Sequence, residues 1–245
     1  MTNKYQVWTY WTGDHYPALD LLLDSVRHCY PQLQVLDDGA LRALGGDEPL
    51  EVIRDCKLNP WHGSDLIRLW LLSTYGGLWI DTDCLAFEPL PVESLWAVHP
   101  MVQLIGFSNT YPRQFPNPVL LGKPGDLTQA LYQDALAVAP KKDKVFLAMG
   151  SNLISSRRVR HPRRMIVLPR EPWLHPWHHG QLDQLADHWD GDWGYHYCYL
   201  LHTEGRNLRR FKDWTRERLI SSRTPMGYLI RQTSYYREVL APGLS

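Results

Sequence analysis

The chain has 245 residues, 44% of them apolar, with 26 basic and 26 acidic side chains and no net charge. That length and globular composition allow either one large α/β domain or a smaller one with an appendage, with a real core. No run approaches 18 apolar residues, which excludes a membrane-spanning helix, and the start MTNKYQVWTYWTG lacks the layout of a signal peptide.

The zero net charge hides an asymmetry. Residues 1–140 hold 8 basic and 16 acidic side chains (−8), and residues 141–245 hold 18 and 10 (+8). Either the second half meets something anionic or the halves attract each other. Cys29, Cys56, Cys84 and Cys198 form no C-x-x-C pair, so they read as free thiols of a reducing compartment. The expected location is cytoplasmic, against a membrane face. Eleven Trp and 13 Tyr against five Phe suit sugar stacking, and equally suit cores and interfaces.

Tyr5 to Trp11 is rich in β-formers and predicts a first strand, ending at Thr12-Gly13. Tyr16-Pro17 opens a helix to about His28, with Leu21, Leu22, Val26 and Cys29 on its apolar stripe. Leu33 to Leu36 predicts a second strand, and Asp37-Asp38-Gly39 a polar turn. This βαβ opening is Rossmann-like.

The next stretch, Gly63 to Cys84, reads GSDLIRLWLLSTYGGLWIDTDC. Ser64 is a suitable N-cap, and a helix apolar on nearly every side to about Thr74 predicts burial. Asp65 and Arg68, three residues apart, share a face of it. Gly76-Gly77 ends the helix. Leu78-Trp79-Ile80 suits a buried strand, with Asp81-Thr82-Asp83 at its C-terminal end, where open α/β sheets bind ligands. Two carboxylates one residue apart there can share a hard divalent cation that keeps open positions for a diphosphate. About one D-x-D arises by chance in a chain of this composition. A second one, Asp190-Gly191-Asp192, has no apolar run before it.

Beyond Asp83, Leu85 to Pro91 reads as extended, and Trp96 to Val98 and Gln103 to Phe107 as strands. The loop Ser108 to Pro118 can line a sugar pocket. Asp126 to Val138 is an amphipathic helix, and Lys141 to Lys144 a solvated face. Gly150-Ser151-Asn152 is a glycine-led turn. Arg157 to Arg164 is the densest basic run, with Asp143 and Glu171 the nearest acids in sequence, and a strand over Met165 to Leu168 follows it. His175, His178 and His179 match no zinc pattern. Tyr195 to Leu201 reads as a strand with His202 after it. The tail is two short basic helices, striped by Phe211, Trp214, Leu219 and Ile220.

The combined pattern S-D-x-x-R, Y-G-G, apolar-W-x-D-x-D resembles the sugar-binding core of D-x-D glycosyltransferases. That group holds capsular polysaccharide synthesis transferases, fungal mannosyltransferases and the glucosylating domains of large clostridial toxins. The resemblance is strongest over residues 63–84. It implies a single Rossmann-like α/β domain of the GT-A type over residues 1–205, with a mixed central sheet flanked by helices, and a basic helical tail over 206–245. It also implies metal-dependent, retaining transfer from a nucleotide sugar, UDP-linked by preference, to a hydroxyl acceptor in cell-surface glycan synthesis. Mn²⁺ or Mg²⁺ falls to Asp81, Asp83 and His202. Donor contacts fall to Asp65, Arg68, Trp79 and Asp81, the base to Trp8, Thr9 and Trp11 at the end of the first strand, and further polar contacts to Ser151 and Asn152.

Two other readings stand beside this one. The acceptor can instead be a modified base of DNA, with the Arg157–Arg164 run on phosphates. The chain can also be a non-catalytic carbohydrate- or nucleotide-binding protein, although Asp65, Arg68, Asp81 and Asp83 are all intact. Basic side chains interleaved with Phe211 and Trp214 in the tail fit an anionic membrane surface as well as a nucleic-acid backbone.

Overall fold

A computed structural model describes residues 5–107, 115, 118–141, 148–168, 174–176, 200–202 and 211–242. The second D-x-D, the loop after Phe107 and the Lys142–Lys144 run therefore lie outside the described residues. Two compact units emerge, each built from three chain segments: residues 1–12, 34–80 and 91–168 form the first, and 13–33, 81–90 and 169–245 the second.

The first unit is a six-stranded mixed sheet flanked by helices, the expected α/β class. Its strands are β1 (Val7–Tyr10), β2 (Leu33–Leu36, whose first residue the division assigns to the second unit), β3 (Gly77–Ile80), β5 (Leu104–Phe107), β6 (Val119–Gly122) and β7 (Met165–Leu168), in the order β2-β1-β3-β6-β5-β7. β1 and β3 run parallel, as do β5 and β7, while β6 runs antiparallel between β3 and β5. Around them lie α2 (Asp38–Ala43), α3 (Asp47–Asp55), α4 (Pro60–Thr74), α5 (Val92–Val98), α6 (Asp126–Val138) and α7 (Ser151–Arg160). α4 packs on α6, and the core gathers Trp8, Leu66, Trp79, Leu120, Leu131 and Ile154.

The second unit holds α1 (Pro17–Cys29), a three-stranded sheet of β4 (Cys84–Ala86), β8 (Leu174–Pro176) and β9 (Leu200–His202) in the order β4-β9-β8, and the helices α8 (Arg216–Ser221) and α9 (Pro225–Gln232). Leu22, Leu85, Phe87, Leu219 and Leu229 share its core. Ser25 Oγ accepts from the Ala86 amide at 3.0 Å and donates to Leu22 O at 2.7 Å, which fastens β4 to α1. Among the described residues no helix is long and apolar enough to cross a membrane.

Four local expectations change. Trp96 to Val98 is helix, not strand: α5 starts after Pro91, whose carbonyl accepts from Leu95 N at 3.0 Å, and Val92 and Leu95 are buried at helical spacing. So short an apolar run fits either period. Asp37 does not turn the chain but caps α2, accepting from Ala40 N at 2.7 Å. Gly150 to Asn152 is the start of α7 rather than a free turn. α4 begins four residues before Ser64, because Asn59 caps it, accepting from His62 N at 2.9 Å, with Pro60 in the first turn.

Candidate active site

Two glycines set the geometry of the first unit's sheet beside α4. Gly76 and Gly77 have φ of +69° and +105°, a region that L side chains rarely enter. A Cβ on Gly77 would stand 2.4 Å from Gln6 O. The turn therefore lays β3 directly beside β1, in the register Val7↔Leu78 and Trp8↔Trp79. Both strands end at one edge of the sheet, and α4, running back from the turn, brings its N-terminal half to that edge.

On α4, Asp65 and Arg68 are 5% and 3% exposed, with Nη1 3.4 Å from Oδ1. The guanidinium also sits 5.0 Å from the centroid of the Trp79 ring, on which it can stack. Withdrawing both charges from water carries a large desolvation cost, and well-packed apolar side chains would often serve stability as well or better. The two charges that the sequence sets on one face are thus a buried polar pair on an otherwise apolar helix. Trp79 itself is a core residue, and Trp8 is another, its indole N–H donating to Gly76 O at 2.7 Å.

The end of β1 is more open to ligand chemistry. Thr9 Oγ1 and Trp11 Nε1 are shielded from solvent, and no hydrogen-bond partner for either stands among the described residues. Such groups call for an explanation. Next to them, Tyr10 donates to Asp38, and burial first, then that carboxylate, holds its phenol well above the usual tyrosine range. Ser151 is buried in the first turn of α7, while its neighbour Asn152 is exposed.

In the second unit, Asp81, Thr82 and Asp83 form a half-buried turn, closed by Cys84 N donating to Asp81 O at 3.0 Å. β4 follows and pairs antiparallel with β9 in the register Cys84↔His202. The backbone of His202 is therefore about 5 Å from that of the residue after Asp83. The sequence places His202 beyond a strand end; it is the last residue of the strand. Two oxygen-bearing carboxylates with partial exposure, beside the backbone of an imidazole residue, fit a hard divalent cation that keeps open positions. Among the described residues no three His, Cys, Asp or Glu side chains are grouped to hold a metal.

The basic run is partly neutralised, by acids distant from it in sequence. Arg157 chelates Asp134, with Nη2 2.6 Å from Oδ1, and Arg164 chelates Asp126, with Nη1 2.7 Å from Oδ2. Both acids come from α6, more than 20 residues earlier. Hydrogen bonding to Arg164 leads the causes that hold the Asp126 carboxyl well below the usual range. Arg158, Arg160 and Arg163 keep solvent access. In the tail, Phe211 is buried, Trp214 packs edge-on against it with Arg218 4.1 Å over its ring, and Arg216 pairs with Asp24.

Comparison with known proteins falls on the same stretch. Residues 48–106 match the family model described as capsular polysaccharide synthesis protein. No curated protein matches the chain. Among solved structures, a galactosyltransferase LgtC in complex with donor and acceptor sugar analogs is 15% identical with a TM-score of 0.49, covering 94% of this chain and 96% of that one. The PaToxG glycosyltransferase is 14% identical with a TM-score of 0.47, covering 64% and 69%. An active-site mutant of LgtC is 13% identical with a TM-score of 0.45, covering 82% and 87%. Over residues 48–106, the stretch that holds α4, β3 and the D-x-D turn, the chain is similar to the capsular polysaccharide synthesis proteins.

Proposed function

We propose that the protein transfers a sugar from a nucleotide-sugar donor, UDP-linked by preference, to a hydroxyl of a glycan acceptor, in a metal-dependent reaction that retains anomeric configuration. The observation that carries this reading is the coincidence of the family match with a buried Asp65–Arg68 pair and a strand-end Asp81-Thr82-Asp83. In the transfer the bond between C1 of the donor sugar and the diphosphate oxygen breaks, and a bond from the acceptor oxygen to C1 forms. The acceptor's hydroxyl proton passes to the departing diphosphate or to solvent.

Asp83, Asp81 and His202 would hold Mn²⁺ or Mg²⁺, which as a Lewis acid supplies charge stabilisation to the leaving diphosphate. Arg68 orients Asp65, and Asp65 accepts from the donor's sugar hydroxyls. Thr9 Oγ1 and Trp11 Nε1 offer a hydroxyl and an N–H to the base. Ser151 and Asn152 add polar contacts. A glycan acceptor is favoured over DNA because Arg157 and Arg164 are already engaged by α6 acids. Arg158, Arg160 and Arg163 remain for an anionic membrane face near which such glycans are built. The residues up to 205 act as the transferase domain, and the tail supports them.

The test is a thermal-shift screen of UDP-galactose, UDP-glucose and GDP-mannose with and without Mn²⁺, followed by measurement of nucleotide release. Stabilisation by one donor that depends on Mn²⁺ is expected. No stabilisation and no release with any donor would remove the proposal.

A further inference from the structure

Two connections of the first unit are built alike. α5 leads through His99-Pro100-Met101 into β5, and α7 leads through His161-Pro162-Arg163 into β7. Each is a tight turn with proline in second place, where its fixed φ is suited. Val102 N donates to His99 O at 3.1 Å, and Arg164 N to His161 O at 3.0 Å. β5 and β7 pair in the parallel register Leu104↔Met165, and Gln103 N donates to Arg164 O at 2.8 Å. The two turns therefore stand side by side at one end of the sheet, on strands about 5 Å apart. Because β6 is antiparallel to both β3 and β5, that end is opposite the C-terminal ends of β1 and β3.

The surface of these turns mixes apolar and cationic side chains. Val98 is 72%, Met101 80% and Val159 83% exposed, three of the six exposed large apolar side chains among the described residues. Scattered singly such residues are ordinary; gathered on neighbouring turns they mark an interaction surface. Beside them Arg160 and Arg163 are exposed and Arg158 keeps solvent access, and among the described residues no carboxylate pairs with any of the three. The support is rigid. Asp126 accepts from Gln103 Nε2 at 3.2 Å and from Arg164 Nη1 at 2.7 Å, which ties the two strand entrances together. Lys123 Nζ donates to Pro100 O at 3.4 Å and lies 4.4 Å from the centroid of the Trp96 ring. Apolar tips on a fixed base lose little freedom on binding.

We infer that this end of the sheet is a docking face for an anionic membrane surface. Val98, Met101 and Val159 enter the headgroup layer, and Arg158, Arg160 and Arg163 pair with lipid phosphates. The inference rests on the membrane-side reading above and names the surface that serves it. Charge complementarity and the apolar tips together select the partner. A nucleic-acid backbone would engage the arginines and leave the apolar tips in water, and a second copy of the chain would set cation against cation.

The experiment sediments the full chain with phosphatidylcholine vesicles, with and without about 30% phosphatidylglycerol, at about 0.15 M salt. Binding to the anionic vesicles alone is expected. Arg158→Gln with Arg160→Gln and Arg163→Gln should weaken partition by about 100-fold, at roughly fivefold per charge. Val98→Ser with Met101→Ser and Val159→Ser should weaken it by about tenfold or more, although no charge changes. Lys212→Gln with Arg218→Gln and Arg223→Gln, which removes three exposed charges of the tail, should move it less than about threefold. Loss with the tail set but not the arginine set, or binding indifferent to the apolar changes, overturns the face. So does binding of duplex DNA in place of vesicles, or a dimer that Met101→Ser dissolves. Vesicle binding is read without donor. Nucleotide release without vesicle binding therefore sinks the docking face alone, and vesicle binding without nucleotide release sinks the transferase reading alone.

Discussion

Cys84 faces His202 across the antiparallel ladder of β4 and β9, so the residue after the D-x-D turn is tied by backbone to the one late histidine nominated as a ligand. Lengthening the sequence between them would not disturb this pairing, whereas a slip in register would. We expect turnover to stop in EDTA and to return with Mn²⁺ or Mg²⁺. Asp83→Ala should abolish it without unfolding, and His202→Ala should weaken Mn²⁺ dependence by about 10-fold or more, in the range seen when metal-site residues are removed. Metal titrations of nucleotide release check this; full activity in EDTA contradicts it.

Asp65 and Arg68 allow a test that separates chemistry from stability. Removing one partner of a buried pair costs about 3–5 kcal/mol, whereas replacing both by apolar residues is often neutral. Asp65→Leu with Arg68→Met should therefore melt near the wild-type temperature while transfer falls by about 10²–10³-fold, the scale of a lost transition-state contact. Denaturant unfolding and rates per folded molecule measure the two separately. Recovered stability together with recovered turnover would leave the pair purely structural.

The start of α4 is a local test of the fold. Asn59→Ala should destabilise by about 1 kcal/mol, the usual worth of an N-cap. Ser64→Ala, one turn into the helix, should cost less. Paired urea melts decide between the two positions.

Cys29 responds to pH in a defined direction. Burial raises its thiol pKa to about 11, opposed in part by the contact with Ser234 Oγ at 3.8 Å. The native thiol holds its proton where an unfolded one, with pKa about 8.5, releases it. The resulting stability is present below about 8.5 and is lost as pH rises toward 11. Alkylation of Cys29 by iodoacetamide at pH 8.5 should be slow in the native protein and fast in urea, as followed by mass spectrometry.

Much of the fold is legible in the residues where local signals and tertiary demands agree. Pro17, the apolar stripe to Cys29 and the Asp126–Val138 pattern mark helices close to their true bounds, and Gly76-Gly77 marks a turn that only positive φ allows. Asp65 and Arg68 stand out as charges on an apolar helix. The short polar helices α2 and α3 escape the sequence reading, because few of their residues are buried. Pairs such as Arg157 with Asp134 and Tyr10 with Asp38 are hidden because partners 23 and 28 residues apart meet only through the fold.

The threading of the first unit through three separate segments has a consequence for synthesis. β1 is made at residue 7, its neighbour β3 only at residue 77, and the far strand β7 at residue 165. At about 5–20 residues per second, the nascent N-terminus spends roughly 8–30 s between emergence of the first strand and that of the last. Through that interval Trp8 and the apolar face of α4 have no completed sheet to bury against. A ribosome-bound chain of this protein is therefore a natural client for holding chaperones, and one arrested before β6 leaves the D-x-D strand with an open edge.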